Sequence, residues 1–208
     1  MREKISYLYK VLIVIIGIIG LYLNFSFMPI LKCLVYFTIV ANICCVLFYM
    51  VYVITNYKKT IVQKNTYYIM KGMMSIVMIL TMFMYQFMNL NGNLDAYKGH
   101  ELASAFVHII LPIMVVLDYI WFDHKGNIKW YYAFIWCIFL IVYGVIIILY
   151  SKFGGSFYKD ACMPYDFLDW NKNGIIPVLI NNVIIYFAFI LFGLIIYLID
   201  KKSSRREK

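Results

Sequence analysis

The chain of 208 residues is apolar over most of its length, with 64% hydrophobic residues, 14% charged residues and a mean hydropathy of +0.81. Soluble domains are only about 45–50% apolar and about 25% charged, so this composition excludes a soluble globular domain. The net charge of +9 would suit nucleic-acid binding, but the basic residues lie between the apolar runs. We therefore expect a membrane protein with no nucleic-acid partner.

Six apolar runs are long enough to cross a membrane as helices, which takes about 17–25 residues each. Together they use most of the chain, which leaves no room for a soluble module. The sequence therefore predicts one all-α integral membrane domain over residues 1–208, folded as a six-helix bundle. The runs are Val11–Phe27, Cys33–Ile54, Met70–Met88, Ala103–Phe122, Trp130–Tyr150 and Ile175–Ile199.

Basic residues are distributed unevenly between the two ends of these runs. Fourteen of the 19 lysines and arginines lie in the N-terminal segment, the second and fourth loops and the C-terminal tail. Cytoplasmic loops carry the excess of Lys and Arg, so we expect a multi-pass cell-membrane protein with both termini in the cytoplasm.

The first run follows basic residues, as in a signal peptide. It is too long and lacks a small-residue cleavage site, so we expect it to be retained.

Polar side chains inside the runs lie mostly at one depth, near the predicted outer surface. Thr38 and Asn42 lie in the second run, and Ser104 and His108 lie in the fourth. Polar groups are costly against lipid and should therefore face the bundle interior or a wet cavity. The sequence predicts a polar pocket open toward the outer leaflet. Further polar residues at this level are Asn24, Gln86, Asn89, Asn181 and Asn182.

Thr38 and His108 are equally far below the outer ends of their runs, at a depth of about 7–8 Å for a helical rise of 1.5 Å per residue. A hydroxyl and an imidazole that meet are the minimum for a nucleophile and its general base. Asn42, one turn from Thr38, is the preferred oxyanion donor. Pro112 cannot donate to the carbonyl of His108 and should kink the helix there. Weaker pocket or oxyanion candidates are Gln86, Ser104, Asn181 and Asn182.

Each of these residues also has a structural interpretation. A membrane Thr commonly bonds the carbonyl four residues earlier, Asn42 can join two helices, and a lone His can satisfy one partner. Asp118 lies in the inner half of its run, which is otherwise nearly apolar, and should pair with a basic loop residue or a tyrosine. His100, Glu101 and His108 lack the H-E-x-x-H spacing, so we predict no metal and no cofactor.

The last predicted outer loop, Ser151–Gly174, is the one long connection in the sequence. Long loops are often lids or binding loops, so this loop could cover the pocket. Its aromatic residues Tyr165, Phe167 and Trp170 are equally typical of a belt at the membrane interface. The sequence leaves both alternatives open.

Three stretches, "YFTIVAN", "HIILPIMVVLDYIWFDHKG" and "MPYDFLD", resemble bacterial six-span membrane proteins. More distantly, the Thr and His with their flanks resemble the androgen-induced and androgen-dependent membrane hydrolases of fatty acid esters of hydroxy fatty acids. Those hydrolases use a Thr on an early helix and a His on a later one. The resemblance implies these roles for Thr38 and His108, with a fatty-acyl ester that enters from the membrane lipid as substrate.

The alternative is a non-catalytic lipid-binding protein or a small-molecule transporter that uses the same cavity. A transporter should show polar groups along a path that reaches both sides of the membrane. The predicted inner half of this chain is nearly apolar, which favours a one-sided pocket.

Overall fold

The computed structural model of the protein describes residues 1–57, 64–90, 99–155, 157 and 162–205. All regular secondary structure in these residues is helical. Six helices are long and apolar enough to cross a membrane, so the predicted all-α, six-helix fold class is confirmed. They are α1 (Arg2–Phe27), α2 (Phe37–Tyr57), α3 (Lys64–Leu90), α4 (Glu101–Phe122), α5 (Tyr132–Lys152) and α6 (Ile175–Ser204).

The helix ends differ from the ends of the apolar runs. α1 begins at Arg2 rather than Val11, because a helix continues through polar residues once its apolar part is formed. α2 begins at Phe37 rather than Cys33, because a single helical turn (Ile30–Cys33) comes before it. Hydropathy therefore marks the apolar part of each helix and not its ends. In the same way α3 begins at Lys64 rather than Met70, and α6 continues to Ser204 rather than Ile199.

The first four long helices form the centre of the bundle. α1 packs on α2 and α4, α3 packs on the same two helices, and α6 packs on α3 and α5. In the most apolar window of α6 only 17% of the residues are buried, against 56% in α3. α6 therefore exposes isoleucine, leucine and phenylalanine side chains around most of its surface, as expected of a helix that faces lipid.

The two described chain ends lie at the same end of the bundle. Arg2 Nη2 donates to Trp121 O over 2.9 Å. Asp200 Oδ2, near the end of α6, accepts from the backbone N–H groups of Gly126 and Ile128 at 2.8 and 3.0 Å. The start of α1, the α4–α5 connection and the end of α6 thus share what we call the termini end. The opposite end, with residues 162–174, is the loop end.

A buried cluster of charges ties the helices together at the termini end. Asp118 of α4 accepts from Lys10 of α1 at 2.8 Å, from Tyr49 of α2 at 2.9 Å, and from Lys71 of α3. Lys71 Nζ also lies 3.4 Å from Asp123 Oδ2. None of these five side chains belongs to a residue more than 6% exposed. We call Lys10, Lys71, Asp118 and Asp123 the charge cluster.

The charge cluster confirms one expectation and corrects another. Asp118 pairs with basic residues and a tyrosine, as predicted. The expectation that the rest of this half is apolar is wrong, because Lys10 and Lys71 turn into the bundle instead of lying at its surface. Other charges used for the predicted topology, including Lys58, Lys59, Lys98 and Lys159, lie outside the described residues.

Candidate active site

α4 changes its helical register around His108. Residues Phe106–Ile110 form a π-helical turn in which Leu111 N donates to Phe106 O. Pro112 follows and has no N–H, so the carbonyl of Val107 has no backbone donor from either residue. The sequence predicted a kink and a free His108 carbonyl here, whereas the structure has a π turn and the carbonyl without a backbone donor is that of Val107. Such π turns are frequent at functional sites.

Asn42 supplies the missing donor. Its Nδ2 donates to Val107 O over 3.1 Å and to Thr38 O, on its own helix, over 2.7 Å. Both partners are carbonyl oxygens that can only accept, which fixes which side of the amide is the nitrogen. Asn42 is fully buried. An amide occurs inside the apolar stretch "VYFTIVANICC" because it joins α2 to the π turn of α4, the interhelical role considered from the sequence.

Asn24 makes the same pair of bonds from α1. Its Nδ2 donates to Gly20 O of its own helix over 2.8 Å and to Ala103 O of α4 over 3.1 Å. Ala103 and Val107 are one helical turn apart, so two buried amides hold successive turns of α4 against α1 and α2. This arrangement fixes the position of the helix that carries His108.

His108 is held in one tautomer by its own helix. Its Nδ1 lies 2.9 Å from Ser104 O and 3.3 Å from Ser104 Oγ, and the residue is 5% exposed. A carbonyl can only accept, so Nδ1 carries the proton and the lone pair of the neutral ring is on Nε2. This is the tautomer of a general base that acts through Nε2.

Tyr85 of α3 also contacts His108, with its ring stacked on the imidazole at a centroid distance of 4.3 Å. Sequence reasoning missed Tyr85, since the chain has 20 tyrosines and none is marked by a motif. It selected the next residue, Gln86, which is exposed and does not line the interior. Adjacent helical residues point in different directions, and polarity alone favoured the wrong one.

Thr38 lies in the first turn of α2 and is 8% exposed. The backbone N–H of the preceding residue, Phe37, donates to the hydroxyl of Tyr165 over 3.1 Å. Tyr165 belongs to the loop-end segment, and burial raises its pKa, so it remains a neutral phenol. The predicted outer loop therefore covers the start of α2, and Thr38 lies directly beneath it.

Asn181 and Asn182 have local partners. Asn181 Nδ2 donates to Phe167 O over 3.0 Å and so attaches the loop to α6. Asn182 Nδ2 donates to Val178 O, four residues earlier on α6, over 2.8 Å. Hydrogen bonds therefore join Asn42 to the backbone of Thr38 and Val107, and His108 to Ser104. Asn181 instead binds the loop, and Asn182 binds its own helix.

The nitrogen and the oxygen of the Asn42 amide differ in their hydrogen bonding. Both hydrogens of Nδ2 are used in the bonds to Thr38 O and Val107 O. Its Oδ1 is buried and has no hydrogen-bond partner among the described residues. The oxyanion-donor role predicted for Asn42 would require one of its two bonds to break.

Comparisons with protein-family models, curated proteins and solved structures found no match to this chain. The resemblance to the membrane hydrolases therefore depends on the sequence stretches alone. A functional interpretation must come from the arrangement of Thr38, Asn42, Ser104 and His108.

Proposed function

We propose that this protein is an intramembrane lipid-ester hydrolase in which Thr38 is the nucleophile and His108 is the general base. One observation carries the proposal: Asn42 binds the backbone of Thr38 and that of Val107, the residue before His108, through a single nitrogen. The two helices are thus held side by side at the level of both side chains. Ser104 keeps His108 in the tautomer that a base requires.

The proposed reaction has two halves. His108 Nε2 removes the proton from Thr38 Oγ1 as that oxygen attacks the ester carbonyl, and the proton then passes to the departing alcohol. The resulting acyl group on Thr38 is released by water. The positive end of the α2 helix dipole favours the negative charge that develops on the carbonyl oxygen, whereas the N–H of Phe37 is already used by the Tyr165 hydroxyl.

The proposed substrate is a fatty-acyl ester that enters sideways from the membrane lipid. The candidate site lies at the loop end, between α2 and α4, under the segment that contains Tyr165. We propose no cofactor, because nucleophile, base and water suffice for ester hydrolysis.

The charge cluster favours a second candidate, a non-catalytic lipid-binding protein or a transporter. Ionisable residues inside membrane proteins often mark ion or substrate pathways, and α4 carries both His108 and Asp118. These two residues are about 15 Å apart along the helix. Leu111 and Val115, both buried, lie between them. We prefer the hydrolase because these two apolar residues of α4 separate His108 from Asp118, and the buried hydroxyls of Ser75 and Thr81 on α3 donate to their own helix.

Ester cleavage by the wild-type protein tests the proposal. We expect purified protein in lipid nanodiscs to release free fatty acid from p-nitrophenyl palmitate, a monoacylglycerol or a fatty acid ester of a hydroxy fatty acid. A binding protein or transporter would leave every ester intact. Well-folded protein that cleaves none of these esters would contradict the hydrolase.

We also propose that the termini end faces the cytoplasm of the cell membrane, and native cysteines test this. Cys162 at the loop end is exposed, whereas Cys33 is buried and its thiol pKa is raised to about 11 by burial, so it should react slowly at pH 7.5. An impermeant maleimide should label intact cells that express the wild type but not Cys162→Ser. Labelling of Cys162 only after permeabilisation would reverse the topology.

A further inference from the structure

The loop-end segment, residues 162–174, is held together by its own hydrogen bonds. Asp169 Oδ1 accepts from Asn171 N over 2.9 Å and so caps the helical turn that follows it. Asn173 Nδ2 donates back to Asp166 O and Asp169 O, over 2.6 and 3.1 Å. These bonds start and end inside the segment, so it can shift against the bundle without breaking them.

One side of the loop-end segment is fixed to α5 and α6. Ser151 Oγ of α5 donates to Cys162 O over 2.9 Å. Asn181 Nδ2 of α6 donates to Phe167 O over 3.0 Å. Gly174 joins the segment to α6 with a φ of +78°, a conformation that glycine adopts without a steric penalty. The segment therefore has anchors on two helices and a glycine at its junction with the second.

The other side of the loop-end segment is joined to α2 by Tyr165. Its hydroxyl accepts from Phe37 N over 3.1 Å. Its ring packs edge-on against Tyr36 at a centroid distance of 6.0 Å and stacks on Phe167 at 5.4 Å. One hydrogen bond shifts an equilibrium by only about 2–10-fold, so thermal motion can break this attachment while the anchors on α5 and α6 hold.

The attachment and the proposed nucleophile share the first turn of α2, because Thr38 comes directly after Phe37. Thr38 is 8% exposed. An ester carbonyl needs open surface beside the hydroxyl that attacks it, and a side chain this buried provides little. The described position of the segment is therefore a closed state with respect to Thr38.

We propose that the loop-end segment is a lid over Thr38 and that Tyr165 is the latch that holds it on α2. In the closed state the Tyr165 hydroxyl is bound to Phe37 N. In the open state this bond is broken, the segment turns about its anchors at Ser151 and Gly174, and Thr38 is exposed to lipid. Opening is a property of the fold alone, whereas its role in admitting an ester rests on the proposed hydrolase function and deepens it.

Accessibility of position 38 tests the lid without any catalysis. The exposed thiol is removed by Cys162→Ser, and Thr38→Cys places a new one under the segment. Labelling of position 38 by N-ethylmaleimide in lipid nanodiscs is then followed by peptide mass spectrometry. Addition of Tyr165→Phe keeps the ring and removes the latch, so labelling should become about 2–10-fold faster. Equal labelling rates with and without Tyr165→Phe would overturn the lid.

Tyr9→Phe is the matched control. Tyr9 also uses its hydroxyl to bind the backbone of another element, since it donates to Met114 O of α4 over 3.2 Å. This bond joins α1 to α4 and does not involve the loop-end segment. We expect Tyr9→Phe to leave the labelling of position 38 unchanged. An equal acceleration in Tyr9→Phe would show a general loosening of the bundle and would also overturn the lid.

Turnover separates the lid from the hydrolase. In protein that retains Thr38, Tyr165→Phe should raise kcat/KM for p-nitrophenyl palmitate by the same factor of about 2–10, because a larger fraction of the protein is open. Faster labelling with an unchanged kcat/KM would overturn the lid as a gate for substrate and leave the hydrolase intact. Faster labelling in a protein that cleaves no ester would contradict the hydrolase alone and support the lid.

Discussion

Thr38→Ala should abolish ester hydrolysis, and His108→Ala should do so to a similar extent. A nucleophile and its base act as a unit, so removal of either one costs nearly as much as removal of both. We expect kcat/KM for p-nitrophenyl palmitate to fall by at least about 10³-fold in each variant. Thr38→Ser keeps a hydroxyl at the same place and should retain measurable turnover.

Two matched substitutions control for indirect effects on the bundle. Thr81 is also buried, and its hydroxyl donates to Val77 O, four residues earlier, over 2.9 Å, so Thr81→Ala removes only a structural hydroxyl. His124 is exposed in the α4–α5 connection, and His124→Ala should leave activity unchanged. Loss of activity in Thr81→Ala comparable to that in Thr38→Ala would show that Thr38 has no special role.

Asp118→Asn should destabilise the protein by about 3–5 kcal/mol, the usual cost of removing one partner from a buried ion pair. The change leaves the ammonium groups of Lys10 and Lys71 buried with one carboxylate, Asp123, whose Oδ2 lies 3.4 Å from Lys71 Nζ. Reversible unfolding of the purified protein in mixed detergent micelles would measure the free energy. An Asp118→Asn protein as stable as the wild type would contradict this interpretation of the charge cluster.

A second substitution should restore part of this loss. In the double variant Lys10→Met, Asp118→Asn, the remaining charges are Lys71 and Asp123, which are 3.4 Å apart and balance each other. The double variant should therefore be more stable than the sum of the two single losses predicts. Asp166→Asn is the exposed control: its partner Lys172, at 2.7 Å, is more than half exposed. Such surface pairs contribute only about 0–1 kcal/mol.

Much of the fold could be predicted from the sequence because lipid imposes simple requirements. A spanning segment must be long, apolar and helical, and all six runs met this condition. The predicted depth of Thr38, five residues below Cys33 on one helix, was wrong, because α2 begins at Phe37 and Thr38 lies in its first turn. The helix ends could not be predicted in the same way. Lys10 and Lys71 are charged and were therefore assigned to loops at the membrane surface, whereas both lie inside helices. Only their partner Asp118, distant in sequence, turns them inward.

The candidate site was predicted less completely. Pro112 indicated an irregular helix, but the shift into a π turn, and hence the bond from Asn42 to Val107 O, depends on how α2 and α4 pack. The outward direction of Gln86 and the stacking of Tyr85 on His108 are likewise set by the rotation of α3. Such rotations are fixed by contacts between helices, which hydropathy and spacing do not record.

Covalent labelling of Thr38 is the most direct measurement of the proposed function. Folded wild-type protein in nanodiscs should react with a long-chain alkyl fluorophosphonate, and peptide mass spectrometry should place the adduct on Thr38. The adduct should be absent from Thr38→Ala and formed far more slowly by His108→Ala, because the hydroxyl then lacks its base. An adduct on another residue, or none on folded wild-type protein, would contradict Thr38 as the nucleophile.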